Sequence, residues 1–310
     1  MSTLNDTLSE SLLQKNNSSP ITNSSQSNTQ NSVKDITDII QIPFFTLIII
    51  IGSIYIIVVF TRKTLRTNKF NWLTLNVCFA NVIFAIIQLL STIIRLTDIP
   101  EAIISCRSKA FIIDMATCHI MYSHCIATFC RLLSVRYPHK PIFRSNRWLI
   151  GNIITSELLG PLIALPFLFF DGFLCSGRSN GKRFLQIYAA ISTILIPVVI
   201  FSGFNYSIYR YVRQSSKRVH SISNSTGQRL SHRDMYLCKI ILLTFCVFVI
   251  GWMPLLLEQI LMIERTRLPS GVSAFFQIIS PTCLLADVLL LIYADHSVRK
   301  LLIKVLRCQS

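Results

Sequence analysis

The sequence predicts an all-α membrane protein, a bundle of seven transmembrane helices with a short amphipathic eighth helix. Its composition is the first observation, because 52% of the 310 residues are hydrophobic and only 14% are charged. A soluble domain carries about 25% charged residues. The apolar residues also fall in seven long runs, and the basic residues fall in short clusters between those runs.

The seven apolar runs give the order of the helices. Most reach the roughly 20 residues that a helix needs to cross about 30 Å of hydrocarbon. Helices are expected because lipid cannot satisfy open backbone groups. Pro161 and Pro166 interrupt the fourth run, and the third run is the most polar, which predicts a central helix surrounded by protein. The runs are 40–61, 71–94, 103–133, 148–170, 185–212, 236–263 and 271–294.

The basic clusters predict the orientation in the membrane. About two thirds of the 30 Lys and Arg residues fall on the inner side if the N-terminus is outside, as the positive-inside rule requires. We therefore expect a multi-pass protein of the plasma membrane with an extracellular N-terminus. This pattern of short clusters indicates the lipid bilayer as a partner and argues against nucleic acid.

The segments outside the bundle carry signals for modification. Residues 1–39 are rich in Ser, Asn, Thr and Gln and are predicted to be a disordered extracellular tail, before the bundle at 40–294. Residues 295–310 are predicted to be a cytoplasmic amphipathic helix and tail, in which Cys308 is either palmitoylated or a free thiol. Glycosylation sequons, or chance matches in an Asn-rich tail, begin at Asn5, Asn16, Asn17 and Asn23.

Two cysteines fall on the oxidising side of the membrane. The chain has 10 cysteines, and in this orientation only Cys106 and Cys175 lie in outer segments. Cys106 precedes Arg131 by about 37 Å of helix at about 1.5 Å per residue. If Arg131 marks the inner edge of the third run, Cys106 marks the outer edge. We predict a Cys106–Cys175 disulfide that holds the second outer loop across the top of the bundle.

Short motifs at matching positions indicate one family. The third run ends in "CRL" around Arg131, the sixth holds "GWMP" with Trp252 and Pro254, and the fifth holds Pro197. The first inner loop reads "KTLRT", and the seventh run ends in "LIYADHSVRKLL". Together with the seven runs and the outer cysteine pair, these motifs resemble the rhodopsin-like G-protein-coupled receptors over residues 40–308.

The chain departs from this family's pattern as a divergent member would. Cys130 stands where the family has an acid, and Asn81 stands where it has Asp. The seventh run has Leu289 and Leu290 in place of Asn-Pro. These departures leave open a seven-helix receptor that no longer couples to a G protein.

The resemblance implies roles for residues in the inner half. Arg131 would meet the G protein in the active state and pair with Asp234, at the foot of the sixth run, in the resting state. An arginine that reaches the lipid headgroups and a solvated acid are the alternatives. The other residues at the family's coupling positions are Tyr206 and Tyr293, and those at its activation switch are Phe248, Trp252, Pro254 and Pro197.

Ionisable residues within the apolar runs suggest functional sites, because such groups are costly in lipid. They are Asp114, Glu157, Asp287, His119 and His124. Asp114 lies about 25 Å outward from Arg131, and we expect it to bind a basic ligand group; a structural hydrogen bond is the alternative. Asn81 and Asp287 are predicted to hydrogen-bond in a polar core. The candidate ligand-binding residues are Asp114, Thr117, Gln88, Glu258, Gln259 and Gln277.

These observations predict a cell-surface receptor that binds an extracellular ligand and activates a heterotrimeric G protein through movement of the sixth helix. A mouth with charges of both signs favours a peptide ligand, with small-molecule chemosensation as the alternative. A transporter is less favoured because the runs show no internal repeat. No nucleophile motif or metal-ligand spacing suggests an enzyme, and no metal or cofactor is expected.

Overall fold

The computed structural model describes most of the chain, and the elements it describes are helices. The described residues are 23–67, 69–97, 106–137, 140–169, 181–220, 243–244, 246–255, 257–258, 260–261 and 268–294, with Arg299. Of the predicted eighth helix at 295–310, only Arg299 lies among these residues.

Six of the described helices are long and apolar enough to cross a membrane, and the predicted sixth run contributes the shorter apolar helix Cys246–Leu255. The predicted bundle of membrane-spanning helices is therefore confirmed. We use "sixth span" for the described residues between 243 and 261. The other spans, in order, are Ile36–Thr61, Asn71–Leu96, Arg107–Arg136, Asn146–Phe169, Phe184–Tyr211 and, as the seventh, Ser270–Tyr293.

The individual helices extend or subdivide these spans. The helix of the first span continues outward to Asn23, whereas those of the fourth and fifth spans are divided. The α-helices are Asn23–Thr61, Lys63–Arg66, Lys69–Leu96, Cys106–Arg136, Asn146–Ala164, Pro166–Phe169, Gly181–Ala189, Ile196–His220 and Ser270–Ala294, with a 3₁₀-helix at Pro141–Arg144 and a π-helix at Ala190–Leu195.

The first helix begins at Asn23, well before the predicted boundary between tail and bundle at 39/40. Polar residues on both sides of that boundary are buried against other spans, which hydropathy does not reveal. Asp38 is 8% exposed and lies 3.1 Å from the guanidinium of Arg95 in the second span. Gln41 donates from Nε2 to the backbone oxygen of Gln277 in the seventh span at 3.3 Å. These contacts fix the outer end of the first span.

The third span is the central helix, as its polarity predicts. It has the largest buried share of the six, 61% of its apolar window. The fourth span approaches it closely at Gly160, where an added Cβ would lie 3.1 Å from the backbone oxygen of Met115. The second and fourth spans are joined by the Asn76 amide, which donates to the Ser156 hydroxyl at 2.8 Å.

The fourth span begins and ends as its sequence dictates. The Ser145 hydroxyl accepts a hydrogen bond from the backbone N–H of Trp148 at 3.2 Å and caps the N-terminus. The helix stops at Ala164, and a new short helix begins at Pro166. A proline lacks the N–H that would continue the hydrogen-bond ladder. The interruption predicted at Pro166 is therefore present, although the span as a whole is helical.

The fifth span contains a π-helix at Ala190–Leu195, just before Pro197. The third span satisfies backbone carbonyls in this irregular segment. Tyr122 donates from its hydroxyl to the backbone oxygen of Ser192 at 2.8 Å, and the Cys125 thiol donates to that of Pro197 at 3.4 Å. Such side-chain contacts are how an irregular helix is accommodated inside a membrane.

Candidate functional site

The outer half of the bundle contains a buried carboxylate. Asp114 lies on the third span, is 8% exposed, and has one oxygen, Oδ2, with no hydrogen-bond partner among the described residues. One turn further in, the Thr117 hydroxyl donates to the backbone oxygen of Ile113 at 2.8 Å. Asp114 therefore offers an open acceptor, whereas the Thr117 hydroxyl donates within its own helix.

Two of the candidate ligand-binding residues, Glu258 and Gln277, form hydrogen bonds with Ser273. Glu258 of the sixth span is 6% exposed and accepts a hydrogen bond from the Ser273 hydroxyl of the seventh span. Gln277 donates to the same hydroxyl oxygen at 3.4 Å. Gln88 is half-buried on the second span. The bond between Glu258 and Ser273 thus ties the sixth span to the seventh, and Gln277 holds Ser273 from within the seventh span.

An aromatic chain crosses the middle of the bundle. We use this name for Phe45, Phe84, Trp252, Phe248 and Phe201, which come from the first, second, sixth and fifth spans. Successive ring centroids lie 6.4, 6.1, 6.3 and 4.9 Å apart. The structure therefore brings Phe248 and Trp252 together, and their action as a switch stays a prediction.

The prolines predicted to act with this switch lie on the same two spans. Pro254 is half-buried on the sixth span, two residues beyond Trp252. Pro197 is buried on the fifth span, four residues before Phe201. Each removes a backbone donor beside the aromatic chain, so the backbone of both helices is weakened next to these rings.

The inner half contains a buried imidazole–carboxylate pair. Nε2 of His124, on the third span, lies 3.1 Å from Oδ2 of Asp287, on the seventh, and the two side chains are 4% and 5% exposed. The His124 ring also packs against two rings of the aromatic chain, Phe248 at 5.5 Å and Phe201 at 6.1 Å between centroids. The sequence shows both ionisable residues, but their pairing depends on how the two helices are rotated.

The predicted hydrogen bond between Asn81 and Asp287 is not formed. Both amide atoms of Asn81 and both carboxylate oxygens of Asp287 are buried and lack hydrogen-bond partners within the described part of the chain. The two residues are 0% and 3% exposed, so each belongs to a polar core as expected. The correction is that Asp287 lies 3.1 Å from the imidazole of His124 and makes no hydrogen bond to Asn81.

Arg131 and His124 of the third span line the same small cavity. The cavity has a volume of about 10 Å³ and is also lined by Asn205 and Thr244, enough for about one water molecule. Asn205 donates to the backbone oxygen of Phe201 at 2.8 Å, and its own side-chain oxygen is buried without a described partner. Residues of the third, fifth and sixth spans thus meet around this cavity, with Val77 of the second span and Leu291 of the seventh.

Several predicted residues lie away from these sites. Tyr206 and Tyr293 are 62% and 53% exposed and do not line the cavity around Arg131. Arg210 lies 5.9 Å from the centre of the Tyr206 ring, and Arg299 lies 5.0 Å from that of Tyr293.

Cys106 and Asn23 are described only in their backbone. The predicted residues that lie outside the described part are Cys175, Asp234, Gln259, Cys308, Asn5, Asn16 and Asn17.

A second imidazole–carboxylate pair joins the third and fourth spans. Nε2 of His119 and Oε1 of Glu157 are 2.9 Å apart, within hydrogen-bonding distance. The His119 side chain is 8% exposed and that of Glu157 is 40% exposed. This pair therefore lies at the periphery of the bundle, unlike the enclosed His124–Asp287 pair. Among the described residues, no three His, Cys, Asp or Glu side chains cluster in a way that suits a metal ion.

Comparison with known families agrees with this geometry. A family model described as "7 transmembrane receptor (rhodopsin family)" matches residues 52–286, which is more than half of the chain. The match begins in the first span and ends in the seventh, just before Asp287. No curated protein matches the chain.

Proposed function

We propose that this chain, which belongs to the rhodopsin family of seven-transmembrane receptors, binds an extracellular ligand with a basic group and activates a heterotrimeric G protein. We place it in the plasma membrane with the N-terminus outside, because the Lys and Arg residues are concentrated on the opposite side. In the same proposal, Cys106 and Cys175 form the outer disulfide, the tail sequons are glycosylated and Cys308 is palmitoylated.

The open carboxylate oxygen of Asp114 is the observation that carries this proposal. A buried carboxylate without a partner is costly, since burial removes water and nothing replaces it. A ligand ammonium or guanidinium group would supply that partner. Two other acids that the structure describes in this half already have one: Asp38 pairs with Arg95, and Glu258 accepts from Ser273.

A peptide is the preferred ligand, because it carries basic groups at its N-terminus and on Lys and Arg side chains. A peptide's backbone amides also suit the polar groups around the mouth, such as Gln88 and Gln277. A small chemosensory amine is the alternative. It would satisfy Asp114 and make fewer contacts with the rim.

Ligand binding would reach the inner side through the aromatic chain. A ligand at Asp114 would contact the third and fifth spans. Further along these spans, His124 of the third and Phe201 of the fifth both pack against Phe248 of the sixth. Phe248 lies on the sixth span one turn before Trp252, next to the bend expected at Pro254. Outward movement of the inner half of this span would widen the cavity at Arg131 and admit the G protein.

The test measures G-protein activation in cells at matched surface expression. The probe is a library of short peptides synthesised in two forms, one with free amines and arginines and one with acetylated amines and citrulline. We expect only the basic form to activate the wild type, and Asp114→Asn to reduce the potency of active peptides by about tenfold or more. Glu157→Gln removes a paired intramembrane acid and should leave the potency nearly unchanged.

Arg131→Ala completes the test, and we expect it to abolish activation while peptide binding remains. Equal potency of the basic peptides on wild type and Asp114→Asn would refute the ligand site. Absence of activation with any G-protein class, by either peptide form, would favour the receptor that no longer couples.

A further inference from the structure

We propose that His124 and Asp287 form a lock between the third and seventh spans that holds the receptor in its resting state. In this lock His124 is a positioning residue, which acts through its contacts with Asp287 and Phe248. The Nε2–Oδ2 distance is 3.1 Å, and the side chains are 4% and 5% exposed. The proposal rests on the proposed receptor function. It states that this pair is the contact that keeps the inner half of the bundle closed in the resting state.

Burial explains why the two groups hold each other. A carboxylate inside a membrane protein needs a compensating group, and Asp287 makes no hydrogen bond within the described part of the chain. Asn81, whose amide is also unbonded there, does not supply one. The imidazole of His124 lies within ion-pair distance of the carboxylate. Breaking a buried contact between an imidazole and a carboxylate is unfavourable, so this contact favours the arrangement that keeps the two groups together.

The position of His124 on the third span links the lock to Arg131. The two residues are two helical turns apart, about 10 Å along the axis at about 1.5 Å per residue. A separation of two turns places them on the same face of the helix, and both line the inner cavity. A shift of His124 therefore alters the space in front of the residue proposed to meet the G protein.

The His124 ring also links the lock to the sixth span. Its centroid lies 5.5 Å from that of Phe248, which in turn lies 4.9 Å from Phe201 of the fifth span. If the sixth span moves outward, Phe248 leaves this packing and the imidazole loses the surface that holds it toward Asp287. One movement thus breaks both the ring packing and the pair, which is the behaviour of a two-state element.

The seventh span contains a hinge that lets Asp287 separate from His124. Pro281 lies inside this helix, about one and a half turns before Asp287, and weakens the backbone ladder there. The chain has Leu289 and Leu290 where the family has Asn-Pro. A bend at Pro281 would therefore lie on the outer side of Asp287. The inner segment of the helix, which carries the carboxylate, would then move as a rigid unit.

Two single variants test the contact between His124 and Asp287 while they keep the packing around it. His124→Phe keeps a ring against Phe248 and removes the contact with Asp287, whereas Asp287→Asn keeps the side-chain shape and removes the charge. The exchange His124→Asp with Asp287→His restores an imidazole–carboxylate pair in reverse order. His119→Phe and Glu157→Gln form the matched control, because they break a second imidazole–carboxylate pair of the third span, at 2.9 Å, whose partner lies on the fourth span.

Two readouts are needed, and one of them does not require a G protein. The first is ligand-free G-protein activation at matched surface expression. The second is the distance between spin labels at Arg136→Cys and Leu243→Cys, the inner ends of the third and sixth spans. The purified protein for this readout has the exposed Cys246, and Cys238 and Cys308, replaced by Ser. The label distance reports the opening of the inner face directly.

We expect each single variant to raise ligand-free activation about fivefold or more and to lengthen the label distance. The double variant His124→Phe with Asp287→Asn should resemble the single ones. The exchanged pair should return both readouts toward wild type, and the control variants should change neither. Unchanged label distances in both single variants would overturn the lock. Additive effects of the single variants, or equal opening in the control variants, would also overturn it.

The failure of the proposed function gives a different result. If the labels move apart in the single variants while no variant activates any G protein, the lock exists in a chain that does not couple. If activation rises in the control variants as well as in the lock variants, loss of stability explains the result, and the assignment to His124 and Asp287 is wrong.

Discussion

At the residue scale, two asparagines of the second span show how differently one side-chain type is buried. The Asn76 amide donates to Ser156 at 2.8 Å, whereas neither amide atom of Asn81 has a hydrogen-bond partner among the described residues. They are 8% and 0% exposed. A hydrogen-bonded amide contributes about 1 kcal/mol, and an unsatisfied buried group costs about 1–3 kcal/mol.

This difference predicts the outcome of matched substitutions. Asn76→Ala and Asn81→Ala remove the same atoms from the same helix. We expect Asn76→Ala to lower the free energy of unfolding by about 1–2 kcal/mol more, because only it breaks a hydrogen bond between spans. Thermal unfolding of the purified protein in detergent measures both. A larger loss for Asn81→Ala would mean that the buried Asn81 amide makes bonds that the protein depends on.

At the element scale, the fourth span contains two glycines in contrasting surroundings. A Cβ added to Gly160 would lie 3.1 Å from the backbone oxygen of Met115 and 3.3 Å from Cβ of His119. A Cβ added to Gly151 would meet nothing within 4 Å. The first glycine allows the third and fourth helices to approach closely, as small residues do in membrane proteins, and the second makes no such contact.

We therefore expect Gly160→Ala to destabilise the protein by about 1–3 kcal/mol, because a backbone carbonyl cannot rotate away as a side chain can. Gly151→Ala should be neutral or stabilising by up to about 1 kcal/mol, since alanine favours helix more than glycine does. The comparison uses thermal midpoints of the two variants at equal detergent and lipid content. Similar losses at both positions would contradict the close approach of these helices.

At the scale of the whole molecule, the orientation in the membrane leads to a prediction about glycosylation. If the N-terminus is outside, enzymatic removal of N-glycans should increase the gel mobility of the protein from intact cells. Replacing Asn5, Asn16, Asn17 and Asn23 by Gln should abolish that change. The sequons at Asn205 and Asn224 should stay unmodified, and a mobility change that persists in the quadruple variant would indicate the opposite orientation.

The bundle as a whole was readable from the sequence because a membrane imposes a length and a composition on each helix. The position of the third span at the centre was also readable, from its polarity. The start of the first helix was not, because Asp38 looks like a residue of a polar tail until Arg95 is placed beside it. Hydropathy measures how apolar a segment is and carries no information about which neighbour satisfies its polar groups.

The candidate sites show the same limit. Asp114 and Asp287 stand out in the sequence because acids are rare inside apolar runs. Their partners depend on the rotation of each helix about its axis and on the register between helices. For that reason Asp287 was expected against Asn81 and lies against His124. An acid and a histidine in the inner halves of two apolar runs were the signal that pointed to this pair.

The peripheral pair of His119 and Glu157 has a consequence for the biosynthesis of the protein. Glu157 stands at the midpoint of the fourth span, Asn146–Phe169, and its side chain is 40% exposed. An acid at the centre of an inserting helix opposes its entry into the bilayer by about 2.5–3.5 kcal/mol on insertion scales. The ribosome delivers the third span first, so the imidazole of His119 is already in the membrane when the carboxylate arrives. The nascent fourth helix can thus enter the bilayer beside a partner for its acid, and the order of the spans in the chain favours their correct insertion.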